Sequence, residues 1–212
     1  MKKLIFLFIA AFTLQVTAFS QNEKFMGAMG TTLQQLGVAK DGDALTAVAQ
    51  KFERIGDAEK TQWLPYYYAA MVKARMSMMG LGGDKDVTAD EAATLIAKAE
   101  AIEKNNSEIL CIKSMIATAK MLVDPQARFM EYGMQANQLL EEAKKADPTN
   151  PRPYMLQSTN LKNTPEQYGG GCKVAKPIAE KAMTLYAAFK LASPVHPSWG
   201  KENVEQTVAA CK

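Results

Sequence analysis

Four large side chains, Tyr66, Leu110, Tyr154 and Trp199, recur along this chain at spacings of 44, 44 and 45 residues. Other positions keep the same register. Eleven residues before the four anchors stand Ile55, Ala99, Ala143 and Ala188, and fourteen before them stand Phe52, Ile96, Leu140 and Leu185. Eighteen before the first three stand Val48, Ala92 and Ala136, and four after them Ala70, Ser114 and Ser158. A period of this length marks a unit that cannot bury its apolar side alone and stacks on copies of itself. The Ala and Ser columns mark crossings where two backbones approach closely. Each anchor fills the space beside the preceding unit.

The units are helical, because no stretch sustains a period-two alternation of β-branched and aromatic residues. Helices are expected near 22–36, 42–55, 62–79, 89–104, 107–122, 125–146, 151–162, 173–192 and 198–211, an all-α fold of about nine helices. Thr88 with Glu91 reads as a capping box, Ser107 and Asp124-Pro125 as helix entries, and Pro151 and Pro177 as first-turn prolines. Breaks fall at Gly56-Asp57, Gly80 to Gly83, Asp147-Pro148 and Gly169 to Gly171. In AKKADPTNPRPY, residues 143–154, Asp147-Pro148 stops one hairpin and Pro151 to Tyr154 starts the next.

The residues that carry this register resemble the tetratricopeptide repeat over about residues 42 to 211. The slot that opens helix A resembles Tyr66, Leu110, Tyr154 and Trp199. The helix B slots resemble Ala92-Ile96-Ala99 and Ala136-Leu140-Ala143, and the terminal proline resembles Pro148. The resemblance implies a solenoid of helical hairpins with a concave face. The units exceed the family's usual 34 residues by about ten, always in the turn within a hairpin: MGLGGDKDVT, LVDPQARFMEYG and KNTPEQYGGGCK. The closing pattern, YGGGCK, a long helix and HPSWG, also looks like exported tetratricopeptide-like proteins of Bacteroidota-type bacteria.

Residues 1–20 read as a secretory signal peptide: Lys2 and Lys3 precede the apolar run LIFLFIAAFTLQV, and Ala18 and Ser20 suit cleavage before Gln21. The mature chain, 21–212, is expected to be one exported domain, periplasmic or secreted, without stable membrane insertion. Without Lys2 and Lys3 the charge is 23 basic against 22 acidic residues, which makes nucleic acid an unsuitable partner. Of the three cysteines, Cys111 sits in an apolar helical run and reads as a small buried residue. Cys172 and Cys211, near opposite ends of the last hairpin, are the pair for a possible disulfide.

Motifs for chemistry are sparse. His196, the only histidine, lies in SPVHPSWG and reads as a turn and packing element, which excludes a three-histidine metal site. Gly169 to Lys173 lacks the phosphate-loop pattern. A thiolate at Cys172 would have only His196 as its histidine base. Asp84 to Glu91 fails the EF-hand register, since Ala89 replaces the required Gly and Leu95 the Glu. No catalytic residue, metal or cofactor is therefore expected.

The positions one and five after each anchor should face the concave side. This gives a stripe of Tyr67, Met71, Cys111, Met115, Met155 and Thr159, flanked by Arg75 and Arg152. The binding residues expected are Tyr67, Met71, Arg75, Met115, Arg152 and Met155. Such a Met- and Tyr-lined groove suits a protein or peptide partner, a non-enzymatic scaffold or adaptor. The alternative is a small apolar or anionic ligand in the same cavity. The helix at 22–36, whose Phe25, Met26, Met29, Leu33 and Leu36 form an apolar stripe, is a competing occupant of the groove.

Overall fold

The computed structural model describes residues 23–211. The signal peptide expected over residues 1–20 lies outside the described residues. Among these, all regular structure is helical. It comprises α1 (23–38), α2 (Gly42–Glu59), α3 (Leu64–Met79), α4 (Lys85–Ile102), α5 (Ser107–Met121), α6 (Pro125–Arg128), a π-helical turn (Phe129–Gly133), α7 (Met134–Ala146), α8 (Arg152–Asn163), a 3₁₀ turn (Glu166–Tyr168), α9 (Cys172–Ala188) and α10 (Lys201–Ala210). No described helix is long and apolar enough to cross a membrane.

Local chemistry sets the helix starts. The side chain of Asp41 accepts from the Ala44 amide at 2.8 Å, and Asn106 accepts from the Glu108 amide at 2.8 Å, each satisfying a first-turn donor that has no partner within its helix. The start of α4 differs from expectation. Asp84, not Thr88, is the cap, accepting from the Val87 amide at 3.0 Å, while Thr88 donates to the Asp84 carbonyl at 2.7 Å inside the first turn. Pro177 lies inside α9 rather than in its first turn, because the helix begins at Cys172. The single helix expected over 125–146 is interrupted by the π turn.

Helices α3, α5, α8 and α10 touch in succession, and each also packs against the helix that precedes it in its hairpin register, α2, α4, α7 and α9 respectively, with α4 shared between α3 and α5. The repeated columns lie where these elements meet. Phe52, Ile96, Leu140, Ala92, Ala99, Ala136 and Ala143 are buried. The small residues bring backbones close enough for side-chain hydroxyls to reach a neighbouring helix: Ser114 donates to the Ala136 carbonyl at 2.9 Å, and Ser107 to the Ala143 carbonyl at 2.8 Å. Gly56 is equally constrained, since a Cβ there would stand 2.8 Å from the Tyr66 ring.

The last unit departs from the register. Leu185 is only half-buried and Ala188 exposed, whereas Ala182 and Tyr186 fill the core. The unit is therefore out of step by one residue, with Gly200, at φ 104°, lying against the Tyr186 hydroxyl.

At the other end, Phe25 and Met29 of α1 join the core that contains Val48 and Phe52, and Lys51 of α2 donates to Gln35 at 2.8 Å. The N-terminal helix caps the stack there.

Candidate ligand-binding site

One hollow of about 240 Å³ lies along α3, α5 and α8 and is closed by Trp199 and Asn203. Each helix contributes residues one turn apart: Met71, Arg75 and Met78 from α3; Ser114, Met115 and Thr118 from α5; Met155, Leu156, Thr159 and Asn160 from α8. The thioethers are adaptable apolar groups. Arg75 is the one charged residue among the described residues that line it, and no α1 residue does. The N-terminal helix therefore does not occupy this space.

A second hollow, about 340 Å³, adjoins the first and shares Thr118 and Asn160 with it. Its walls come from the end of α5, the π turn, α7 and α8, and include Met121, Leu122, Phe129, Met134, Leu161 and Tyr168. Several of these are large apolar groups open to solvent: Phe129 is 42% exposed, Met134 59% and Tyr168 68%. The π turn shapes this wall, since a side chain at Gly133 would come within 3.0 Å of the Phe129 ring. Turns of this kind recur at functional sites because they re-aim the side chains of a helix.

Of the six residues expected to bind, Met71, Arg75, Met115 and Met155 are brought together on the first hollow. Tyr67 and Arg152 are not. Both are fully buried and belong to a polar cluster beneath it. Arg152 Nη1 donates to Glu108 Oε1 at 2.7 Å, Asn150 donates to the same oxygen at 2.8 Å, and the Tyr67 hydroxyl donates to Glu108 Oε2 at 3.0 Å. Arg152 Nη2 also donates to the Pro197 carbonyl. Its guanidinium lies over the rings of Phe189 and Trp199, 4.9 and 5.4 Å from their centroids. The expected rim charge is thus a buried structural ion, because Glu108, which the sequence pattern did not single out, neutralises it in place.

Electrostatics follow from this burial. Loss of water pushes the Glu108 carboxyl above the usual carboxylate range, opposed by Arg152 and by the bonds from Tyr67 and Asn150. Burial is the largest influence on Arg152 and disfavours its charge, but Glu108 together with Tyr67, Tyr186 and Cys111 outweighs it, so the guanidinium pKa is raised. The Tyr67 phenol is raised well above its ordinary value by burial and then by Glu108, so it stays a neutral donor. Burial likewise raises the Cys111 thiol well above its usual range, leaving it inert.

The other candidates fall elsewhere. His196 faces a separate polar cavity with Trp63 and Phe189, its Nδ1 2.7 Å from Ser193 Oγ. Cys172 is disulfide-bonded to Cys211 and has no free thiol. Asp86 forms a two-pronged pair with Arg128 at 2.6 and 2.8 Å. Among the described residues, no group of three or more His, Cys, Asp or Glu could hold a metal ion.

No protein-family model and no curated protein matches this chain. A solved structure does: the HusA haemophore from Porphyromonas gingivalis is 33% identical, with a TM-score of 0.78 over 89% of this chain and 92% of that one. The chain belongs to the HusA family. The resemblance to exported proteins of Bacteroidota-type bacteria thus has a solved counterpart in one such organism.

Proposed function

We propose that this chain is an exported, non-enzymatic carrier of haem, taken as cargo rather than as a resident cofactor. The observation that carries the reading is 33% identity to a haemophore over nine-tenths of both chains, combined with a cleft whose walls are thioethers and aromatic rings. A tetrapyrrole offers two broad apolar faces and a carboxylate-bearing edge. The first hollow alone is smaller than the roughly 300–1,000 Å³ typical of small-molecule sites. The cargo therefore spans both hollows, crossing the shared Thr118 and Asn160. The only histidine lies on another cavity, so apolar contact with the faces dominates.

We read the stack itself as tetratricopeptide-like, on the strength of the 44-residue register and the successive contacts of α3, α5, α8 and α10. The peptide-groove alternative is weaker, because Tyr67 and Arg152 lie beneath the floor. Export, to the periplasm or beyond the cell, fits both the signal peptide expected at 1–20 and the haemophore relative.

Titration of mature protein with haem, followed in the Soret band, tests the reading. Saturable binding is expected for the wild type. Thr118→Trp and Asn160→Trp, which fill the junction from half-buried positions, should each weaken binding tenfold or more with little change in melting temperature. No binding by the wild type, or undiminished binding by both variants, refutes the carrier role or this placement of the cargo respectively.

A further inference from the structure

Resting on that reading, we propose that Arg75 is the carboxylate anchor of the cleft, so that the cargo is selected for a free acid group at one end. Arg75 is the one charge among the described residues lining either hollow; every other wall is apolar or carries a neutral hydroxyl, amide or indole. Unlike Arg152, which is spent on Glu108, and Arg128, which is held by Asp86, Arg75 has no ion pair or hydrogen bond to its guanidinium among the described residues. It is exposed on α3 while Met71, a turn earlier on the same face, is buried. It therefore stands at the mouth, with the apolar floor behind it.

A guanidinium presents a planar fork of donors that matches a carboxylate in two-point contact. With no acidic residue on the walls, nothing in the cleft competes for it. Asn203, on the same hollow, adds a neutral donor for the second oxygen. An apolar ligand with a carboxylate at one edge then satisfies the whole lining. A ligand without that acid leaves Arg75 solvated and loses the charged contact.

The experiment compares haem with haem dimethyl ester, in which both acids are masked, on wild type, Arg75→Gln and Arg75→Lys. Because Arg75 is exposed, the substitutions leave the core intact, which circular dichroism and melting verify. Wild type should prefer haem to the ester by roughly ten- to hundredfold. Arg75→Gln should bind the two equally, at the level wild type shows for the ester, and Arg75→Lys should recover part of the preference. Haem binding by wild type without preference over the ester, or full preference in Arg75→Gln, overturns the anchor and leaves the carrier intact. Failure of wild type to bind either compound overturns both.

Discussion

The indole Nε1 of Trp199 donates to the hydroxyl of Tyr67 across 2.9 Å, joining residues 132 positions apart. Nearby, the Tyr68 hydroxyl donates to the Val195 carbonyl at 3.0 Å. The segment between α9 and α10 thus rests on α3, and the last helical pair meets the first. That closure puts Trp199 on the wall of the cleft and covers Tyr67, which an open array would leave on the concave face.

The closure is testable by a double-mutant cycle. Trp199→Phe removes one donor and should cost about 1 kcal/mol beyond the change in packing. Tyr67→Phe strips Glu108 Oε2 of a donor and Trp199 of its acceptor, and should cost about 1–3 kcal/mol. Urea unfolding of both singles and the double should give a coupling energy of about 0.5–3 kcal/mol. Additive effects would mean that the bond does not hold the ends together.

Arg152 makes a stronger case. Arg152→Met leaves the Glu108 carboxylate buried without its countercharge, and should cost about 3–5 kcal/mol near neutral pH. The double variant Arg152→Met with Glu108→Leu removes both charges and should be more stable than the single. The penalty of the single should also shrink in acid, as Glu108 takes a proton and no longer needs a partner. A double variant less stable than Arg152→Met would contradict the account, and chemical denaturation measures both.

The ion pair was legible in the register, had charge been read alongside size. Glu108 and Arg152 occupy one slot, two residues before their anchors, so stacking successive units places opposite charges together. Asn106 and Asn150 likewise share the slot four before: each accepts from the amide two residues on, at 2.8 and 2.9 Å. The buried columns were equally open to inspection, because small residues at a crossing answer to a local steric demand. The closure was not, since it depends on hydrogen bonds between distant units, Trp199 to Tyr67 and Tyr68 to Val195, and on the longer last unit, where Tyr186 replaces Leu185 in the core. Nor was the second hollow, whose wall requires the π turn that splits an otherwise regular helix.

The Cys172–Cys211 disulfide ties the start of α9 to the end of α10, 39 residues apart, with Cα atoms 5.1 Å from each other. Closing a loop of that size lowers the entropy of the unfolded chain enough to stabilise the fold by about 4 kcal/mol in the chain-entropy account. A Cys172→Ser, Cys211→Ser variant should lose stability on that order, with the loss concentrated in α9 and α10. Hydrogen exchange should show protection falling there first, while α3 to α5 keep theirs. Uniform loss along the chain would mean that the terminal hairpin does not open as a separate unit.

His196 sets a pH dependence whose sign is fixed by its surroundings. The ring packs edge-on to Trp63, with centroids 6.1 Å apart, and burial holds its pKa below the ordinary 6.5. The fold therefore prefers the neutral ring, and as pH falls through 6.5 the unfolded chain takes the proton first. Stability from this residue is present in full above the unfolded value and is lost as pH falls toward the folded one. Melting temperature should be flat from about pH 8 to 7 and decline below that, before the carboxylates titrate. In His196→Gln that early decline should disappear, and an unchanged decline would assign it to another group. Because His196 lines neither hollow, the proposed affinity for haem at neutral pH should be the same in both proteins.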